Sequence, residues 1–350
     1  MVTAAGEVVT AERVRTFATS VLTRSGMSAE DAAVTADALA WADTRDIGAQ
    51  GIAKLPLIVK RLRAGGTSGS ARVELVGDTP ALKIFDAHGA WGHVAGVTAM
   101  RAAIGAADGS GVGAAVVRNT DSASALGYYA MLAVGANKIG VAINNGTPLM
   151  APTGGTTRTV GNQAFAIGAP AGRHPPLLFD TATSAITWTA IEALRERGLP
   201  LPADVALDVS GRPTRDHDAA LAGILLPMGG HRGFGIALMW EVLTGILSGG
   251  PRFARDITPL ASLDQPQSVS HFYLTIDPTV VMTYESFTAR VDTLIDQIHT
   301  SPQAAGVQRV RVPGEQSAAD QARRERDGFT LPPVHLREIE ELAREVGIAW

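Results

Sequence analysis

Anion binding is the first chemistry this sequence suggests. Gly229-Gly230-His231-Arg232-Gly233 sets two glycines and a basic pair ahead of an apolar helical run. Free backbone N–H groups, the positive end of a helix dipole and a guanidinium can meet there on one anion. A plain helix start with an exposed arginine explains the same residues. Asp180-Thr181-Ala182-Thr183-Ser184 lies between an apolar strand-like run and a helical one. Its hydroxyls could bind ribose and phosphate, and helix capping accounts for Thr183 and Ser184 equally well. His88 and His93 flank Trp91 in a glycine-rich stretch. A metal would want a further ligand at defined spacing, so hydrogen-bonding histidines in a turn are expected and a metal site is not.

Other signatures fail on context. Gly109-Ser110-Gly111-Val112-Gly113 leads into a strand rather than out of one, and Gly233-Phe234-Gly235 lies inside a helical pattern without a third glycine. Neither suits a dinucleotide-binding glycine loop, so a Rossmann fold is not expected. No Gly-x-Ser-x-Gly elbow occurs. The absence of cysteine excludes disulfides, thiolate metal sites and a cysteine nucleophile.

The elements that must position these residues follow from composition and periodicity. At 350 residues and 46% apolar content, the chain can build one large domain or two to three closely packed ones. A net charge of -4 gives no basic patch for nucleic acid. The run Arg323-Arg324-Glu325-Arg326 reads as a solvated helix face. The start, Met1 to Glu7, lacks a signal-peptide pattern. The longest apolar stretch, Gly233 to Leu247, contains Glu241 and falls short of the ~20 residues of a membrane span. It reads as a buried helix, in a soluble, cytoplasmic protein.

Two helices open the chain, with Thr10 and Ser28 at the N-cap positions and Ser28 with Asp31 forming a capping box. A third helical stretch, Ile52 to Leu62, runs into Gly65-Gly66-Thr67-Ser68-Gly69-Ser70, the clearest candidate domain boundary. Beyond Val73 short strand-like runs begin at Ala81, Gly113, Lys138, Gln163, Pro176 and Phe272. Helical runs lie between them: Val94 to Asp108, Ala125 to Ala136, Thr183 to Arg197 and Tyr284 to His299. The alternation predicts an α/β fold. The amphipathic terminal helix, Pro333 to Val346, is expected to pack back on the N-terminal helices.

The order of these pieces resembles the malate/L-lactate dehydrogenase-like family of non-Rossmann NAD(P)-dependent oxidoreductases. The match runs through Asp43-Thr44-Arg45, Gly51-Ile52-Ala53-Lys54-Leu55-Pro56 and the segment Asp86 to Ala95. It continues through Arg118-Asn119, Gly127-Tyr128-Tyr129, Asn145 with Pro148 to Pro152, and Ala169-Pro170-Ala171-Gly172. The Asp180 segment, the Gly229 loop, Pro313-Gly314-Glu315 and Gly328 complete it. The resemblance implies a mixed-sheet cofactor region at residues 71–299. It also implies a helical substrate-side region at 1–70, with 300–350 packing back on it. It further implies a homodimer using NADH or NADPH on a small substrate bearing a carboxylate, with no nucleic-acid or membrane partner. By the same resemblance Asp180, Thr181, Ala182, Thr183, Arg232, Pro313, Gly314 and Glu315 hold the cofactor, and Lys54, Asn145 and Gly146 meet the substrate.

The departures fall on the proton side. Where the family reads Asp-Ser-His-Gly this chain has Gly48-Ala49-Gln50-Gly51, and its Asn-His-Phe-Gly becomes Asp121-Ser122-Ala123-Ser124. Gly161-Asn162-Gln163-Ala164 stands for Gly-Thr-Asn-Pro, and Thr189-Ala190 for a Gly-Lys pair. Gln50 and Ser122 can donate hydrogen bonds but cannot titrate near neutral pH. Asp121 could carry the proton if burial raises its pKa, and is otherwise a solvated turn residue. Three functions are then open. The first is a reductase of a C=N or C=O group beside a carboxylate, favouring iminium substrates that arrive protonated. The second is a non-redox lyase, cyclase or isomerase, and the third a silent dimeric binding protein.

Overall fold

The computed structural model describes residues 7–350, so the reading of the first six residues lies outside it. No helix among the described residues is long and apolar enough to cross a membrane. The chain opens with β1 (Val8–Val9), α1 (Ala11–Arg24) and α2 (Ala29–Thr44). The Thr10 and Ser28 hydroxyls accept the Arg13 and Asp31 amides at 3.2 and 3.1 Å, as both N-cap assignments require. The Asp31 carboxylate accepts the Ser28 hydroxyl at 2.8 Å rather than closing the box on its amide, which instead donates to the Gly69 carbonyl. Two 3-10 turns, Gly48–Gln50 and Ile52–Lys54, lead into α3 (Leu55–Ala64).

A seven-stranded sheet follows, assembled from β2 (Glu74–Asp78), β3 (Leu82–Asp86), β4 (Val112–Thr120), β5 (Ile139–Asn144), β6 (Phe165–Ala169), β7 (Leu177–Thr181) and β10 (Val269–Ile276). Its order is β2-β3-β4-β10-β5-β6-β7. Only β3 and β4 run parallel; every other neighbouring pair is antiparallel. A doubly wound nucleotide fold needs consecutive parallel crossovers, so the sheet is non-Rossmann, as the glycine patterns imply. The apolar faces of α4 (Gly92–Ser110) and α5 (Gly127–Gly135) cover it, burying Met100, Leu126, Tyr129 and Tyr273.

Between β7 and β10 the chain builds a smaller lobe. It holds α6 (Trp188–Glu196), β8 (Ala206–Leu207), α7 (His217–Ala222), β9 (Ile224–Leu225) and α8 (His231–Glu241), around Met150, Ile191, Leu201 and Val205. Then come α9 (Tyr284–His299), α10 (Glu315–Asp327), β11 (Phe329–Thr330) and α11 (Pro333–Val346). β11 pairs with β1, and Ile339, Leu342 and Ala343 of α11 share one core with α1, α2 and α3. Both chain ends therefore form the helical region.

Several expectations need correction. The helix expected from Thr183 begins at Trp188, capped by Thr187. Tertiary pairing claims the residues before it: the Thr183 amide and hydroxyl both donate to the Asn162 carbonyl at 2.8 and 2.7 Å, and Ser184 bridges Pro227. The expected buried helix is α8, extended by a π-helical turn at Val242–Ile246, and only one face of it is buried. Small residues and Glu241 line that face, while Leu238, Met239, Ile246 and Leu247 stand exposed. The Gly65–Ser70 stretch is a packed crossing rather than a loose linker. A Cβ at Gly66 would fall 2.1 Å from the Leu263 carbonyl oxygen, and one at Gly69 would fall 2.4 Å from that of Gly26. Arg323 and Arg326 are solvated as expected, but Arg324 turns inward and donates to the Asp43 carbonyl at 2.7 Å.

Candidate active site

Near the end of α2 the buried Asp43 accepts the Ile52 amide at 2.8 Å. A Cβ at Gly51 would fall 1.9 Å from its Oδ1, so glycine alone lets the chain turn there and deliver Lys54. Burial lifts Asp43 to about 7, against the Ile52 amide and Arg324. Lys54 stands at the N-cap position of α3, its Nζ 2.5 Å from Gln50 Oε1 and 3.3 Å from Ser124 Oγ. Both partners are neutral, and desolvation brings Lys54 down to about 8.

The loop after β4 faces this lysine. Asp121 is no solvated turn residue, for it is buried against Arg61, with Nη2 3.0 Å from Oδ1. Arg61, wholly buried, also donates to the carbonyls of Gly66, Leu260, Ser262 and Gln265 at 2.7–3.0 Å. Burial pushes the Asp121 carboxyl above the usual range and Arg61 draws it back. The Ser122 amide donates to Gln267 Oε1 at 2.9 Å, while the Ser122 hydroxyl accepts the Ser124 amide at 3.4 Å. A bulge between Val269 and His271 aims His271 at the same loop, where its Nε2 lies 3.0 Å from the Asp121 carbonyl oxygen. A carbonyl cannot donate, so the proton is on Nε2, and the Tyr273 hydroxyl donates to Nδ1 at 3.1 Å. Burial holds His271 neutral by lowering it to about 4.

His93 lies on the first turn of α4. The Trp91 indole donates to its Nδ1 at 3.1 Å, which again leaves the proton on Nε2. Burial first, then the Lys54 charge, lower it to about 3. A Cβ at Gly92 would lie 2.2 Å from the Ser122 carbonyl oxygen, so this helix start rests directly on the loop. Gln50, Lys54, Asp121 and Ser122 thus converge. Asn145 is engaged elsewhere: its amide donates to Glu241 Oε1 at 3.0 Å and its Oδ1 accepts the Ser270 amide at 2.7 Å. Gly146 beside it is open, with space where a Cβ would project. Arg61, Gln267 and His271 escape sequence reasoning because no local spacing ties them to this loop.

A second group gathers along β7. Asp180 accepts the Gly127 amide, at the start of α5, at 2.7 Å. Burial lifts it to about 6, opposed by that amide and by Arg45. Arg45 in turn is held by Ser317 and Gln321 of α10 and lies over the Trp41 ring. The Pro313 carbonyl accepts the Leu178 amide at 3.2 Å. Gly314, at φ +87°, packs so closely that a Cβ would meet Leu178 N at 2.7 Å. Glu315 accepts the Val312 amide at 3.2 Å and pairs with His299 at 2.9 Å and with Arg309. Thr181 donates to the Ala182 carbonyl, and Ala182 and Thr183 are buried. The Thr183 carbonyl then accepts the Met228 amide at 2.9 Å, which joins this strand end to the Gly229 loop.

That loop is open. Gly229 and Gly230 adopt φ +60° and +66° with free space at both Cβ directions. The His231 and Arg232 amides reach no backbone carbonyl among the described residues, and Arg232 is exposed without an ion pair. A cavity of about 510 Å³ adjoins, lined in part by Gly154, Gly155, Pro227, Gly229 and Gly230. Among the described residues no cluster of three or more His, Asp or Glu could hold a metal.

A family profile described as Malate/L-lactate dehydrogenase matches residues 9–340. The chain belongs to that family. It is an NAD-dependent oxidoreductase, and its similarity to named members extends end to end. It is 32% identical to a malate dehydrogenase of Pyrococcus abyssi, over 95% of this chain and 93% of that protein. The solved L-sulfolactate dehydrogenase of Methanocaldococcus jannaschii superposes with a TM-score of 0.91 at 30% identity, covering 98% of each chain. The Δ1-piperideine-2-carboxylate reductase of Pseudomonas syringae pvar. tomato does so with 0.86 at 26% identity, covering 96% of this chain and all of that one. Members of the family act on 2-hydroxy acids and related substrates, and the non-redox and silent alternatives lose their footing.

Proposed function

We propose that this family member reduces a C=N or C=O group beside a carboxylate, using NADH or NADPH, as a cytoplasmic homodimer. Lys54 carries the reading: a half-buried cation with only neutral partners is an unanswered charge that a substrate carboxylate would answer. Gly146, assigned to the substrate by resemblance, has open space where a Cβ would project. Residues 1–70 with 300–350 make the substrate side and 71–299 the cofactor side. The names of the P. abyssi and P. syringae relatives both carry a carboxylate substrate, which supports the same class.

The cofactor side fits a phosphate-bearing dinucleotide. Unused amides at the start of α8, the unpaired Arg232 and the open glycine space would receive phosphate. The stretch Asp180, Thr181, Ala182, Thr183 and the turn Pro313-Gly314-Glu315 would border the rest. When bound, the dihydronicotinamide supplies a hydride to the substrate carbon. The exposed stripe Leu238, Met239, Ile246 and Leu247 supports a second copy covering α8. Sedimentation at the mass of one chain would remove the dimer.

Fluorescence titration with NADH and NADPH tests the reading, followed by turnover of pyruvate, oxaloacetate and a cyclic imino acid. Binding of one cofactor and reduction of at least one substrate are expected. No binding of either cofactor at millimolar concentration would overturn it.

A further inference from the structure

Gln50 and Ser122 cannot give up a proton near neutral pH, and Asp121 is committed to Arg61. Resting on the reductase reading, we propose that Lys54 is the proton donor of this site, delivering an Nζ proton to the substrate oxygen. Its ammonium touches only Gln50 Oε1 and Ser124 Oγ and makes no ion pair among the described residues.

Every element around it leaves that proton free to move. From α2 comes Asp43, whose carboxylate is turned to the Ile52 amide. α11 packs on the turn that carries Lys54, and its buried Ile339 and Leu342 share a hydrocarbon core with Ile52 and Leu55. From α4 comes His93, kept neutral with its proton on Nε2. From β10 comes His271, spent on the Asp121 carbonyl, and from the loop comes Asp121, answered by Arg61. Lys54 also stands at the N-cap position of α3, without a capping hydrogen bond, where the positive end of the helix dipole disfavours a cation. Burial brings it to about 8, a range suited to a general acid near neutrality.

As the carbonyl carbon receives hydride, the C=O π pair becomes a lone pair on oxygen. One Nζ–H bond of Lys54 breaks with its electrons left on nitrogen, and the proton forms the O–H bond. The products are the hydroxy acid and a neutral amine, which regains a proton from water. A substrate carboxylate beside Lys54 raises its pKa, yet an alkoxide remains far more basic, so the transfer stays downhill. An iminium substrate needs no such proton.

Lys54→Arg separates charge from acidity, because a guanidinium keeps the charge and does not deprotonate. For an oxo acid the variant should lose about 10²–10⁴-fold in kcat with KM little changed. Reduction of a cyclic imino acid should stay within a few fold. Wild-type kcat/KM for the oxo acid should fall above pH 8, where the donor is deprotonated, and the variant should lack that limb. A readout free of turnover is ¹³C NMR of the reductively methylated protein. The lysine resonance missing from the variant should titrate near 8. Titration near ~10.4, the unperturbed lysine value, would overturn the proposal. So would an arginine variant that keeps wild-type turnover and the same alkaline limb. A wild type that binds neither cofactor instead sinks the reductase reading itself.

Discussion

Arg61 and Arg232 are held in opposite ways. Arg61 is wholly buried and makes six hydrogen bonds, binding α3, the Gly66 crossing, the 260–265 loop and Asp121 into one body. Arg232 is exposed at a glycine loop, with free amides beside it and no partner among the described residues. The Asp121 loop is therefore organised at folding, with nearly every donor and acceptor already matched. The Gly229 loop keeps its donors unspent, as a loop proposed to receive a cofactor phosphate would. Preorganisation suits atoms that must meet a reacting bond closely, and an open loop suits a large ligand that must enter and leave.

The contrast breaks first at Arg61. Arg61→Ala removes the only ion-pair partner of the buried Asp121 among the described residues and the guanidinium donor to four carbonyls. Denaturant unfolding should show a loss of about 3–5 kcal/mol. A loss under 1 kcal/mol would mean that the buried network does not organise this loop.

Arg232→Ala should do the reverse. Stability should stay within about 0.5 kcal/mol, as for an exposed residue without partners. Cofactor affinity should fall by about 1.5–3 kcal/mol as a charged hydrogen bond is lost. Equal affinity in titrations of variant and wild type would return this loop to an ordinary helix start.

The smallest effect compares two glycines. Gly229→Ala meets no atom within 4 Å and suffers only the left-handed backbone, about 1–2 kcal/mol. Gly92→Ala must push its Cβ away from the Ser122 carbonyl and should cost more, with kcat falling as the loop shifts. Equal melting temperatures for the two variants would erase the distinction between a packed region and an open one.

Much of this was legible in the sequence where the signal is local. Tyr284–His299 and Pro333–Val346 were readable to the residue, because periodicity and a preceding cap or proline mark them. The collinear motifs pointed to the family, and glycine patterns that lead into a strand or sit inside a helix spoke against a Rossmann loop. Elements that depend on distant partners were not legible. Glu74–Asp78 is a mostly exposed edge strand with no apolar alternation, held by pairing with β3. The start of α6 was misplaced because Asn162 and Pro227 claim the residues before it.

The same division runs through the site. Residue identity alone settled that Gln50 and Ser122 cannot titrate, that no cysteine takes part, and that a basic glycine loop precedes a helix. Tertiary structure decided what surrounds each charge. It gave Asp121 to Arg61 across 60 residues of chain and left Lys54 among neutral oxygens. It also brought His271 from β10 to the loop after β4. A pKa depends on burial and on neighbours contributed by other elements, and neither is written in the order of residues along the chain.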